Sequence, residues 1–132
     1  MIQLLQYELL LPDYNTNIHS PMEWVVTKLI PAIRECFKTA GFSKIENSVE
    51  RGGNFIVTFQ GNLFEVDSDF QVMDYSKQEH TAVGCGQQLA TGALFVAELE
   101  GLTPKCMCEV AIRAAIRYSA YCNGSINIIE VK

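Results

Sequence analysis

The chain has 132 residues, a size that suits one domain, and 48% of them are hydrophobic, enough for a substantial core. A formal net charge of -5, with no basic stripe, argues against nucleic acid as a partner. No apolar run reaches the roughly 18 residues of a membrane span, so no membrane partner is expected.

Residues 1–11 are mostly apolar and read as a helix stopped by Pro12. They lack the basic start and small-residue cleavage site of a secretory signal, so they are taken as part of the fold. Residues 11–17 read as a loop. Ser20, Pro21 and Glu23 form a helix start: a capping serine, a proline at the first helical position and a capping-box glutamate. Val25, Leu29, Ala32, Cys36 and Ala40 follow at helical spacing, and Gly41 is the expected C-terminal cap. Pro31 lies inside this helix and should kink it near Thr27. Trp24 is read as a packing or interface residue.

Glu50, Arg51, Gly52 and Gly53 read as a turn. Residues 54–60 and 63–67 read as two strands around Gly61 and Asn62, with Phe55, Val57 and Phe59 on one face. Residues 70–73 are expected to add a third strand. Asp67, Asp69 and Asp74 cluster beside it and are read as solvated loop carboxylates, with a cation site as the alternative.

Residues 81–83 read as a short buried strand, and Gly84, Cys85 and Gly86 as a tight turn that opens a helix. Leu89, Ala90, Ala93, Leu94 and Ala97 give that helix a small-residue face, and Gly101 ends it. Thr103 caps the next helix with Pro104 in its first turn. Its stripe is Met107, Val110, Ala111, Ala114, Ala115 and Tyr118. After a turn at Asn123 and Gly124, the isoleucine-rich residues 125–131 read as a strand buried on both faces. Strands and helices in separate runs make the fold α+β.

Cysteines stand at 36, 85, 106, 108 and 122. The odd count and scattered spacing suggest reduced thiols in a cytoplasmic protein. Cys106 and Cys108 are too close for a zinc-ribbon pair, so no metal and no cofactor is expected. Cys85 has two readings. It could be a reactive thiolate at a helix N-terminus, with His80 or His19 as a base, or a small thiol packed under a glycine turn. The second is preferred, since a nucleophile needs a base within hydrogen-bond reach.

From about residue 54 to 130 the chain resembles the proteasome β-subunit family, including bacterial and phage proteasome-like proteins. The hairpin over residues 55–66, the run Ala82, Val83, Gly84, Cys85, Gly86, the small-residue helix, the helix over 111–121 and the closing 123–130 segment carry the resemblance. The helix over 20–41 matches more loosely. The resemblance implies an N-terminal nucleophile hydrolase fold, an αββα sandwich. It also implies a threonine-type peptidase whose nucleophile begins the mature chain. Gly84, Cys85 and Gly86 align with the family's Gly-Ser-Gly turn, with Cys85 in place of the serine. Arg117 stands where the family often has an aspartate. Ser119, Cys122 and Asn123 align loosely with a turn that holds a cation through backbone carbonyls in some members. The family's opening hairpin, with its aspartate and lysine, has no counterpart, and Met1 and Ile2 supply no nucleophile.

The fold expected is therefore a truncated αββα sandwich, one proteasome-like domain over 1–132. The expected function is a non-catalytic assembly or binding subunit, inactive as a peptidase by itself. One alternative is the larger fragment of a split or interrupted threonine peptidase, completed by an upstream segment. Another is an unrelated α+β interaction module. A homo-oligomer is expected, because residues 1–11 carry more apolar surface than a short helix can bury. A AAA+ unfoldase is the further partner implied by the resemblance.

Overall fold

The structure is a computed structural model, and it describes residues 2–17, 19–46 and 49–130. It is α+β and divides into two compact units, Met1–Glu79 and His80–Lys132.

The first unit opens with α1 (Ile2–Glu8). The helix stops four residues before Pro12, earlier than the composition suggested. Leu4, Leu5 and Leu9 pack against the core, whereas Leu10 and Leu11 are exposed. A second helical stretch begins as expected: Ser20 accepts a hydrogen bond from the backbone N–H of Glu23, and Pro21 starts α2 (Pro21–Trp24). A π-helical turn, Val25–Leu29, leads into α3 (Ile30–Thr39), and the N–H of Ile30 reaches back five residues to Val25 O. Pro31 has no N–H to give Thr27, and its ring would crowd that carbonyl in a regular α-helix. The wider turn accommodates both facts, so a π-turn stands where a kink was expected. Gly41, at φ +70°, closes the helix, with its N–H bonded to Lys38 O and that of Phe42 to Phe37 O.

The π-turn also corrects the buried stripe. Trp24, Val25, Leu29, Ile30, Ile33 and Phe37 are buried, while Ala32 and Cys36 are half-buried and Ala40 is exposed. A π-turn advances fewer degrees per residue than an α-turn, so positions beyond it shift round the helix.

Two antiparallel sheets follow. The first pairs β1 (Lys44–Glu46) with β2 (Val49–Arg51), where Glu50 and Arg51 were expected in a turn. The second has the order β3 (Phe55–Phe59), β4 (Asn62–Val66), β5 (Val72–Asp74). The hairpin is present, but Phe59 pairs with Asn62, so Gln60 and Gly61 form its two-residue loop. Both have positive φ, 50° and 73°, the signature of a type I′ turn. The third strand starts two residues later than expected, because Phe70 sits at φ 68° and cannot continue a ladder. Phe55, Phe64, Val66 and Phe70 complete the core with the helical residues. Trp24 is packed, as expected: its ring stacks on Phe59 with centroids 4.3 Å apart, and its Nε1 donates to Asp13 O.

The second unit is a helical hairpin, α4 (Gln87–Leu99) and α5 (Pro104–Tyr118). Thr103 accepts from the Cys106 N–H with Pro104 in the first turn, and Gly101 (φ 66°) ends α4, all as the sequence predicts. A four-residue link makes the two helices antiparallel neighbours. Gly86 before α4 accordingly lies against Ala115 near the end of α5. The buried residues are small: Ala90, Leu94, Ala97, Ala111 and Ala115. Leu89, Val110 and Tyr118, placed on inward stripes by spacing, are exposed.

Two expected strands are absent. Residues 81–83 are half-buried but not in a strand, and residues 125–130 join no ladder among the described residues. Val131, the last residue of the second expectation, lies outside the described residues. Ile126 and Ile128 are half-buried and Ile129 is exposed, so the segment is not buried on both faces. Isoleucine favours a strand only where a neighbouring strand provides the pleated surface.

Candidate functional site

Gly84, Cys85 and Gly86 form the tight turn expected. Gly84 takes φ +108°, the Gln87 N–H returns to Gly84 O at 3.0 Å, and the Ala90 N–H bonds to Gly86 O at 3.0 Å. Gly86 is buried, and a Cβ there would lie 2.7 Å from Ala115 Cβ and 2.8 Å from Cys122 Sγ. Close approach to α5 therefore requires glycine at 86.

Cys85 is exposed and not packed beneath the turn. Its Sγ lies 3.6 Å from Tyr121 O and 3.4 Å from Cys122 Sγ. Cys122 is half-buried, in a loop that Ser119 organises: Ser119 O accepts from the Cys122 N–H and Ser119 Oγ from the Tyr121 N–H. The hydrogen bond with Cys122 pushes the Cys85 thiol above its ordinary value, outweighing the lowering by the Gly86 N–H. A carbonyl and a second thiol offer no general base at neutral pH. This setting opposes the reactive-thiolate reading.

Among the described residues, no group of three or more His, Cys, Asp or Glu side chains could hold a metal. The three aspartates serve their own loops. Asp67 accepts from Asn54 Nδ2 and the Ser68 N–H, Asp69 from the Gln71 N–H, and Asp74 from the Ser76 N–H. Ser76 holds the Asp74 carboxyl below its ordinary value. His19 Nδ1 lies 3.7 Å from Glu23 Oε1, within the first unit.

An open groove of about 970 Å³ runs along α5, lined in part by Val110, Ala114, Tyr118, Gly124, Ile126 and Ile128. Its charged groups are the Glu109–Arg113 ion pair, at 2.7 Å, and Arg117. Its described lining holds no serine, threonine, cysteine or histidine, so it offers no hydroxyl–imidazole or thiol–imidazole pair.

The outer face of α4 is the feature sequence spacing missed. Leu89, Phe95, Val96 and Leu99 are exposed, the last three by more than half, opposite buried Ala90, Leu94 and Ala97. The signal was present in the sequence: Gln87, Gln88, Thr91 and Glu98 share one sector of α4, and the apolar residues spread over the rest of its circumference, wider than one core-facing stripe. Charge adds to this. In residues 80–132, Glu98, Glu100, Glu109 and Glu130 balance Lys105, Arg113, Arg117 and Lys132, so the entire -5 belongs to residues 1–79.

No helix among the described residues is long and apolar enough to cross a membrane. No protein-family model matches the chain, and no curated protein or solved structure does.

Proposed function

We propose that this chain is a proteasome-like assembly subunit, without peptidase activity of its own, that self-associates through the outer face of α4. The observation that carries the proposal is the inversion of the second unit. Its core is four alanines and a leucine, while Phe95, Val96 and Leu99 face outward. A unit of this size with so small a core buries little apolar surface, and covering the α4 face adds what its own core lacks. Zero net charge in residues 80–132 means that two copies meet without net repulsion there. The groove without a serine, threonine or cysteine and the Cys85 thiol without a base support a binding role over a catalytic one. Under this reading α4 and α5 correspond to a helix pair of the truncated αββα sandwich.

Sedimentation velocity tests the proposal. The chain should sediment as an oligomer, and Phe95→Asp with Leu99→Asp should give a folded monomer. A wild-type monomer across micromolar concentrations would defeat it. So would peptide cleavage abolished by a threonine-peptidase inhibitor.

A second reading is favoured by residues 125–129, whose exposure alternates with period two without a ladder. A further segment supplying a strand there would fit a split threonine peptidase. N-terminal sequencing of the protein from its native source decides this, since a species beginning with threonine is required.

A further inference from the structure

We infer that Cys85 and Cys122 form a reversible dithiol–disulfide pair that clips the start of α4 to the loop beyond α5. The two sulfurs lie 3.4 Å apart although 37 positions separate the residues in sequence. Each sits in a turn and not within a helix, Cys85 ahead of α4 and Cys122 four residues past α5. Small rotations of the two side chains can therefore close the gap to a bond of roughly 2.0 Å without moving either helix. At 3.4 Å no group fits between the sulfurs, and Gly86, lacking a Cβ, leaves the space beside Cys122 Sγ open. The half-buried Cys122 meets its partner where the exposed Cys85 meets solvent, the arrangement of an attacking and a resolving thiol. The other thiols of the hairpin, Cys106 and Cys108, lie in the first two turns of the 15-residue α5. That places them about 15–18 Å from its far end, at 1.5 Å per residue, beyond the reach of Cys85.

The oxidant is a low-molecular-weight disulfide such as oxidised glutathione. Cys122 holds the Cys85 thiol up, so only a minor thiolate fraction is present and the first step is slow: that fraction attacks one of the glutathione sulfurs, breaking that S–S bond and releasing one glutathione thiolate. The Cys122 thiolate then attacks the Cys85 sulfur of the mixed disulfide, forming the intramolecular bond and releasing the second glutathione thiolate. Two protein thiols are oxidised, one glutathione disulfide is reduced, and the two thiol protons pass to the released thiolates.

The test uses the full chain in glutathione redox buffers at pH 8, quenched with acid and mapped without reduction. The expected product is one intramolecular disulfide joining the Cys85 and Cys122 peptides, reversed by excess reduced glutathione. Iodoacetamide labelling of both residues should fall together by at least about tenfold, with Cys106 and Cys108 still labelled. In Cys122→Ser, the mixed disulfide at Cys85 should accumulate unresolved. The inference is overturned by a persistent mixed disulfide at Cys85 in the wild type, or by a bond from either residue to another cysteine. It is equally overturned if both thiols stay reduced at a glutathione ratio that oxidises a peptide dithiol. The wild-type map is decisive even if the serine variant fails to fold.

Discussion

Replacing Gly86 with alanine tests the packing of the helical hairpin at its tightest point. The backbone itself permits alanine, since φ is -97°. The obstacle is contact. The new methyl would stand 2.7 Å from Ala115 Cβ and 2.8 Å from Cys122 Sγ, about 1 Å inside ordinary carbon contact on both sides. Ala115 is held by α5, so the strain falls on the α4–α5 spacing or on the Cys122 loop. Overpacking of this kind costs about 1–3 kcal/mol. Loss of glycine's unfolded-state freedom returns about 0.4–1 kcal/mol. At the midpoints of both ranges the net destabilisation is about 1.3 kcal/mol, roughly a tenfold rise in the open population. Gly92 is the matched control. It lies in α4 with nothing within 4 Å of an added Cβ, so Gly92→Ala should stabilise the helix by about 0.5–1 kcal/mol. Hydrogen exchange of the α4 and α5 amides measures both directly in the second unit. Slower exchange in Gly86→Ala than in the wild type, at any magnitude, would refute the packing described.

Two further outcomes concern the first unit. Gln60 occupies the left-handed region at φ 50°, which asparagine tolerates better, and its carbonyl bond from Asn62 Nδ2 survives the change. Gln60→Asn should raise stability by about 0.5 kcal/mol, read from the urea midpoint; a fall would mean that the turn is not type I′. Glu50 is held below its ordinary 4.5 chiefly by its hydrogen bonds from Arg34, at 2.6 and 3.0 Å. A lowered folded-state value means that the unfolded chain binds the proton more readily. The stabilisation is therefore present above pH 4.5 and lost as pH falls through the folded value. Glu50→Gln should melt below the wild type at pH 7, and the gap should narrow toward pH 3. A constant gap would show that the ion pair does not titrate with folding.

The features legible in the sequence were those with local causes. Ser20, Pro21, Thr103 and Pro104 start helices because capping depends on neighbours three residues away, and Gly41 and Gly101 end them because αL backbone favours glycine. The β3–β4 hairpin was legible for the same reason, although placing its loop correctly needed the register. Failures came where distant partners decide. Residues 125–130 have strand propensity but no ladder, and β1 and β2, at three residues each, show no alternation long enough to read. The inward stripe of α3 was misplaced because a strict 3.6-residue period was carried through a turn that does not obey it. Of the candidate site, the glycine turn was visible, but the approach of Cys122 to Cys85 was not: only an antiparallel hairpin brings the two together.

The π-helical turn at Val25–Leu29 has a consequence for sequence length. A π-turn accommodates one residue more than the α-ladder on either side of it, so this helix holds one residue more than a regular α-helix between the same ends would. Relatives with an ordinary residue in place of Pro31 would have no need of it, and could lack one position between Val25 and Leu29 while keeping the same core. An aligner that places its gap anywhere else would rotate Ile30, Ile33 and Phe37 by about 100° relative to Trp24 and Val25, and would record three core positions as surface.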